Sequence, residues 1–396
     1  MRLAIGVISP QDWGLPITTA FNQLVGDMGD ISVADLDARA RAATYDWLLG
    51  QFNDEVGAFH GFYRAPDRHL DFPQTVNLIA PWQLLAAYDR YKDAALLQKA
   101  ERAANWFYEQ HVITHPMSIV AGGVRDGLAT DEIWTKFTAE EIIVCLGLWS
   151  RTGDDMWRER ALQCGRFLIQ ARRHGFAPRY NLASGKWIAH GWDSWGRVIE
   201  AALLLREADD NPRWLAEAET WAAHALAIQG ADGGFYLIDG EYFNTDLAAD
   251  ELRALVMLHE VTGRDDYLQA AQRFADWLLR WQDSDGAWPL TIDLDGNVVM
   301  PVIGPGDVPN IGIALLRLYH TRHDRQYLKA AYATVRYSLT VQAIPDSDHP
   351  YTDDPRVRWG YWSWQPHYDF TLSGDQSTHH TRGIWFLMDY LQACLP

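Results

Sequence analysis

Ile142-Ile-Val-Cys-Leu-Gly-Leu-Trp149, then the turn Thr152-Gly-Asp-Asp155, then Met156 to Arg173 make one phrase: a helix apolar nearly all round, a tight reversal and a second helix. A helix apolar on every side is one buried between neighbours, whereas charges along one stripe, as in Ala270-Ala-Gln-Arg-Phe-Ala-Asp-Trp-Leu-Leu279, mark a helix with one face in water. The phrase recurs. Helical patterns pair 74–91 with 94–111, 138–151 with 156–173, 194–208 with 213–229, 247–261 with 267–282 and 309–321 with 325–342, and one more lies at each end, 34–52 and 377–394. The turns within the pairs carry Asp93, Asp154, Asp210, Asp265 and Asp324, spaced by 61, 56, 55 and 59 residues, the regular period of a repeat architecture. Twelve alternating helices, with tight turns on one side and long connectors on the other, predict an all-α (α/α)6 barrel formed by residues 1–396 as one domain.

The connectors contain turn chemistry. Tyr180-Asn-Leu-Ala-Ser-Gly-Lys-Trp187, Leu237-Ile-Asp-Gly-Glu-Tyr-Phe243 and Ile292-Asp-Leu-Asp-Gly-Asn-Val-Val299 read as small β-hairpins. All connectors precede inner helices, so one rim of the barrel collects the loop aromatics and the isolated polar residues. A funnel with one wet mouth is the expected shape.

Composition narrows the function. A net charge of −18 without any Lys/Arg run leaves no patch for neutralising phosphates, which excludes nucleic acid as a partner. No window is apolar enough for a membrane span, and the start at Met1 is too short in apolar residues for a secretory signal, so the expected location is cytoplasmic. Cys145, Cys164 and Cys394 are widely spaced and odd in number, as reduced thiols are. Tryptophan is abundant, at 19 of 396 residues. Trp106, Trp157, Trp214, Trp221 and Trp277 fall inside helices and read as core. Trp134, Trp187, Trp192, Trp195, Trp288, Trp359, Trp362 and Trp364 fall in loops beside Gly, Asp and His, where flat rings suit the faces of sugars.

Each inner helix begins with ionisable or amide groups. They are His69, Asp71, Gln74 and Asn77 at the first, and Arg125, Asp126, Asp131, Glu132, Glu140 and Glu141 at the second. The third has His190, Asp193 and Arg197, the fourth Asp246, Asp250 and Glu251, the fifth Asp307 and Asn310, and the sixth Asp369, Asp375, His379, His380 and Arg382. Cleaving a glycosidic bond needs one carboxylic acid to protonate the leaving oxygen and a second carboxylate as base or nucleophile, and such a ring can supply the pair. Structural readings compete with this one. Thr138-Ala-Glu-Glu141 fits a capping box, Asp307 ahead of Pro309 fits an N-cap, Asp193 and Asp246 fit caps, and Asp126 fits a turn. Asp250 and Glu251 lie a turn further in, where no cap is needed, so one of them faces the lumen or a buried partner. No zinc motif, Walker loop, dinucleotide glycine run or Gly-x-Ser-x-Gly elbow is present, and no metal or cofactor is expected; Asp293-Leu-Asp-Gly-Asn297 reads as a turn rather than a calcium loop.

His69-Leu-Asp-Phe72, Trp192-Asp-Ser-Trp-Gly-Arg197 and Asp246-Leu-Ala-Ala-Asp-Glu-Leu-Arg-Ala-Leu255 carry a resemblance. Over nearly its whole length the chain resembles the six-hairpin glycosidase superfamily, and within it the unsaturated glucuronyl and rhamnogalacturonyl hydrolases. The resemblance implies an (α/α)6 barrel in which one aspartate protonates and hydrates the double bond of a 4,5-unsaturated uronate, with a second aspartate at the second inner helix. This chain has Glu140 and Glu141 there and lacks the family's Arg-Gly-Gln-Ala-Trp run.

The resulting expectation is a hydrolase acting at the end of an acidic oligosaccharide. Asp193 is its general acid or base, Asp126 or Glu141 the partner and Asp250 a reserve. Arg125, Arg197, His190 and His379 hold the sugar's carboxylate and hydroxyls, and Trp134, Trp192, Trp195 and Trp362 stack on its rings. The alternatives are a sugar epimerase, isomerase or lyase of the same fold, and a non-catalytic helical scaffold.

Overall fold

The computed structural model describes residues 32–192, 194–300, 302–345, 347–365 and 369–393. The irregular start read from the sequence, Asp193 and Cys394 lie outside the described residues. The helices are α1 (Val33–Ala42), α2 (Val76–Tyr91), α3 (Ala94–His111), α4 (Thr135–Thr152), α5 (Asp155–Arg173) and α6 (Trp195–Asp209). The second half follows with α7 (Arg213–Ile228), α8 (Thr245–Thr262), α9 (Asp265–Leu279), α10 (Asp307–Arg322), α11 (Arg325–Val341) and α12 (Gly374–Ala393). After α1 the chain continues through a wider-wound turn, Ala43–Leu48, and a tighter one, Leu49–Gln51. Each even-numbered helix packs against the next, and α12 packs back against α2, which closes the inner ring. Each odd-numbered helix lies outside its hairpin partner, with α1 against α12.

Burial follows the pattern in the sequence. Every residue of α4 from Thr138 to Leu148 is buried, as is every residue of α8 from Leu247 to Leu258. On α9 only one stripe is buried, including Leu268, Ala271, Phe274, Ala275 and Leu278. No helix among the described residues is long and apolar enough to cross a membrane.

The period has a local cause. After each of five inner helices one residue takes the left-handed conformation, Lys92, Gly153, Asp210, Gly263 or His323. Where an aspartate follows, it caps the outer helix: Asp93 accepts from the Ala95 N–H at 3.0 Å, Asp154 from Met156 at 2.9 Å and Asp324 from Gln326 at 3.1 Å. Asp210 is itself the left-handed residue, and Asp265 opens α9 in its first turn. An Asp154→Ala change is expected to cost about 1 kcal/mol, the usual value of an N-cap. Urea unfolding reads it, and an unmoved midpoint would refute the capping role.

The connectors pair across the rim into small sheets. One joins 124–125, 132–134, 179–181 and 186–188, a second joins 242–244, 291–293 and 298–300, and a third joins 371–373, 62–64 and 69–70. The hairpins expected at Tyr180–Trp187 and Ile292–Val299 are present, whereas Leu237–Phe243 closes on a single bridge, Ile238 to Tyr242, and its second arm pairs with 291–293 instead. Asp293 accepts from the Asn297 backbone N–H at 2.7 Å, closing the turn. Because each sheet joins neighbouring connectors, the loops are held over the mouth as a collar.

Candidate active site

The inner helices start at the collar, and their first turns surround a cavity of about 320 Å³. Lys136 and Glu140 of α4, Arg197 of α6, Asp246 of α8, Asn310 of α10 and Asp375 and His379 of α12 line it, together with Phe62, Gln74 and Trp192 from the connectors. Two local details expose these groups. Helix α4 begins at Thr135, three residues earlier than expected, because Thr138 bonds back to the Trp134 carbonyl at 2.7 Å instead of forming a capping box. Asn244 caps α8 by accepting from the Asp246 N–H at 2.9 Å, which leaves the Asp246 carboxylate available.

Ion pairs cross the lumen. Lys136 Nζ meets Asp246 Oδ2 at 2.6 Å, tying α4 to α8 over the intervening α6. Deeper in, Arg197 lies 2.6 Å from Asp250, 3.0 Å from Glu200 and 3.5 Å from Glu140. Arg253 shares Glu200 at 2.5 Å and Asp250 at 3.2 Å. Below them the Trp82 indole carries the Arg197 guanidinium at 4.8 Å and that of Arg382 at 5.0 Å from its ring centre. At the mouth His379 Nε2 lies 3.1 Å from Asp375 Oδ1. Gly196 is what lets α6 come so near α8: a Cβ there would sit 1.7 Å from Glu251 Oε2 and 2.5 Å from the Asp250 carbonyl carbon.

These surroundings separate the carboxyls. Burial pushes Glu140 up to about 7, and Asp250 and Asp246 add to the rise against the pull of Lys136 and Arg197. Burial, with Asp246 and Asp375 nearby, raises Asp307 well above the usual carboxylate range, although Thr245 donates to it at 3.3 Å. For Asp375 burial acts upward too, but His379 and Lys136 outweigh it and hold the group below its ordinary value. The site thus contains one acid poised near neutrality and one carboxylate kept ionised.

The residues singled out in the sequence are dispersed by the fold. Arg197, Trp192 and His379 line the cavity, and Asp250 lies beneath it, bonded to Arg197. Trp134 borders Trp192, with ring centres 6.0 Å apart. His190 lies instead on a separate groove with Gly191, Tyr236 and Asp239. Arg125 and Asp126 are half-buried at the collar and do not line the cavity, and the Asp126 N–H donates to the Glu132 carbonyl at 3.1 Å. Trp195 and Trp362 are fully buried, packed edge-on against Phe235 and Phe370, so neither offers a ring face to a sugar. Trp288 is equally sealed in the core.

Glu141 faces away from the lumen, since consecutive helical residues point about 100° apart. It accepts from Cys145 Sγ at 3.1 Å among groups of α4 and α5, and burial pushes it up to about 8. Its folded pKa lies above the unfolded value, so only the folded chain resists ionisation. Stability therefore falls as the pH climbs from the ordinary glutamate range towards about 8 and levels off above it. Glu141→Gln is expected to remove the Glu141 share of that decline and leave the share of Glu140, which is raised in the same sense. Urea midpoints at pH 5 and pH 9 measure it, and an equal decline in both proteins would refute the assignment.

Lys136 gives no signal in the sequence, where the helical pattern begins only at Thr138, whereas the helix itself begins at Thr135. Glu200 and Arg253 were legible as charges inside otherwise apolar helices, a signal that a lumenal ion pair was required. Trp82 gave no such signal, as an indole in an apolar run reads as core.

No family model matches the sequence, and no curated protein is similar to it. Among solved structures the chain is similar to a D-mannose isomerase at TM-score 0.72 and 16% identity, covering 91% of this chain and 98% of that one. It is similar to the cellobiose 2-epimerase of Bacillus thermoamylovorans at TM-score 0.71 and 15% identity, with 91% and 98% covered. It is also similar to the unsaturated glucuronyl hydrolase of Bacillus sp. GL1 at TM-score 0.66 and 14% identity, with 90% and 97% covered. The likeness is one of fold. The (α/α)6 barrel expected from the repeat and from the six-hairpin resemblance is the barrel observed, shared with proteins whose names attach to isomerisation, epimerisation and hydrolysis alike.

Proposed function

We propose that the cavity is the active site of a carbohydrate-active enzyme, a hydrolase that removes the terminal residue of an acidic oligosaccharide. The observation carrying this reading is the pairing of Glu140, poised near pH 7, with Asp375, held ionised by His379, in one cavity. Glu140 donates its proton to the leaving oxygen, and Asp375, whose side chain is 41% exposed, takes a proton from the attacking water. The Lys136–Asp246 pair offers a donor and an acceptor to sugar hydroxyls at the mouth. Trp192, 38% exposed and backed by Trp134, supplies a stacking face. Asp193, the neighbour of Trp192, stays in the proposal on the sequence alone, as the rival of Asp375 for the role of base.

A second reading rests on His379. Its contact with Asp375 inside the cavity suits a base that removes a carbon-bound proton, as an epimerase or isomerase requires, and two of the similar structures are named for such reactions. Incubating uronate-terminated and neutral oligosaccharides with the protein in D2O separates the two. With saturated oligosaccharides a hydrolase releases a sugar without placing deuterium on carbon, and an epimerase or isomerase places deuterium on carbon without cleavage. Asp193→Asn is expected to slow turnover at least about 100-fold, within the range of acid–base catalysis. Unchanged turnover removes Asp193 from the site, and inactivity on every glycan leaves the scaffold reading.

A further inference from the structure

Beside Trp192 the collar holds a second hollow that the chemistry of the cavity leaves unused, a groove of about 620 Å³. Phe176, Ile228 and Leu294 give it apolar walls, and His190, Asp232 and Asp239 supply polar groups. No Lys or Arg lines it among the described residues. Its polar groups are fixed in place. Asp239 accepts from the Gly191 N–H at 2.6 Å and donates its own N–H to the Gly191 carbonyl at 3.2 Å. Tyr236 donates to Asp232 at 2.7 Å, Trp277 Nε1 at 2.8 Å and the Gly234 N–H at 3.1 Å. Burial acts to raise Asp232, but those bonds outweigh it and hold the carboxyl below its ordinary value, so it stays an acceptor. His224 stacks flat on Phe176, with ring centres 4.4 Å apart.

The groove and the cavity share a wall. Gly191 lines the groove and Trp192 the cavity, and consecutive Cα atoms stand about 3.8 Å apart, so one strand of backbone separates them. Ile238 pairs with Trp192 along that strand and holds it upright. At about 320 Å³ the cavity is at the small end of ligand pockets, so a sugar chain whose end fills it must leave by the mouth, where Trp192 is exposed. We propose that the groove receives the inner residues of the oligosaccharide whose end occupies the cavity, and that those residues are uncharged. This rests on the reading of the cavity as a sugar site. Apolar walls suit ring faces and the two carboxylates accept from hydroxyls, whereas carboxylates without a lysine or arginine beside them repel an acidic residue. His190, which the sequence placed among the sugar-binding groups, thus acts on the inner part of the chain.

Equilibrium binding to the full chain tests it without requiring turnover, with cellobiose, cellotetraose, maltose and maltotetraose as probes. In at least one of the two series the tetrasaccharide is expected to bind the wild type at least about tenfold more tightly than the disaccharide, the scale of one or two added hydrogen bonds. Ala231→Arg puts a long side chain into the groove, where Asp232 and Asp239 attract it, and should remove that gain while leaving disaccharide binding unaltered. Leu294→Ala should remove part of it, and Trp192→Ala should weaken both lengths. Equal binding of both lengths in both series overturns the proposal, and so does a gain that survives Ala231→Arg. A tetrasaccharide that binds Trp192→Ala as tightly as the wild type would reveal a surface site detached from the cavity, which overturns it too. Tetragalacturonate should show no such gain over digalacturonate, and an equal gain would refute the choice of uncharged residues. Length-dependent binding by a protein that hydrolyses nothing would leave this inference standing and the hydrolase reading refuted, and hydrolysis without any gain in affinity would do the reverse.

Discussion

Glu140→Gln is expected to lower kcat by about 10²- to 10⁴-fold on a glycoside with a poor leaving group, the usual contribution of a general acid. Its pH dependence is the sharper test. With the Glu140 carboxyl raised to about 7, the proton it donates is present below that pH and lost above it, so wild-type activity falls as the pH rises through neutrality. Glutamine cannot ionise, so the residual activity of the variant should lack that alkaline limb. A substrate whose leaving group needs no protonation should recover most of the lost rate. A variant that keeps the limb, or is equally poor on activated and unactivated substrates, would show that another group supplies the proton.

Arg197→Met should lower stability by about 3–5 kcal/mol, the cost of breaking a buried ion pair by removing one partner. Only 4% of the Arg197 side chain is exposed, against 2% for Asp250 and 4% for Glu140. Removing the guanidinium takes a cation from both carboxyls, leaving Arg253 to hold Asp250 at 3.2 Å and Lys136 near Glu140. Adding Asp250→Leu should recover much of the loss, because an apolar pair of similar volume avoids the desolvation cost. Urea unfolding of the single and double variants measures the coupling. A single variant within 1 kcal/mol of wild type would show that Arg197 does not anchor the lumen.

The expectations that failed turn on tertiary packing. Trp195 and Trp362 stand among Gly, Asp and His in the sequence, yet both fill the space beneath the collar, because a ring of loops needs a core of its own. Glu140 and Glu141 are adjacent, and a rotation of about 100° decides which one meets the lumen and which meets Cys145. A shift of three residues in the start of α4 hid Lys136. The collar sheets join segments from different connectors, as 132–134 with 179–181, and such pairings leave no periodic mark in either strand.

The sequence by itself determined the barrel. Apolar helices alternating with amphipathic ones, and a tight turn after five of the inner helices, are local features, and water sorts them into an inner and an outer ring without reference to anything distant. It also determined that polar groups gather at one rim. Only the tertiary structure decided which of them meet: Lys136 with Asp246, Arg197 with Asp250, and His379 with Asp375. Those relations depend on helix rotation and on the close crossing at Gly196, quantities of a few ångströms that hydrophobic periodicity does not encode.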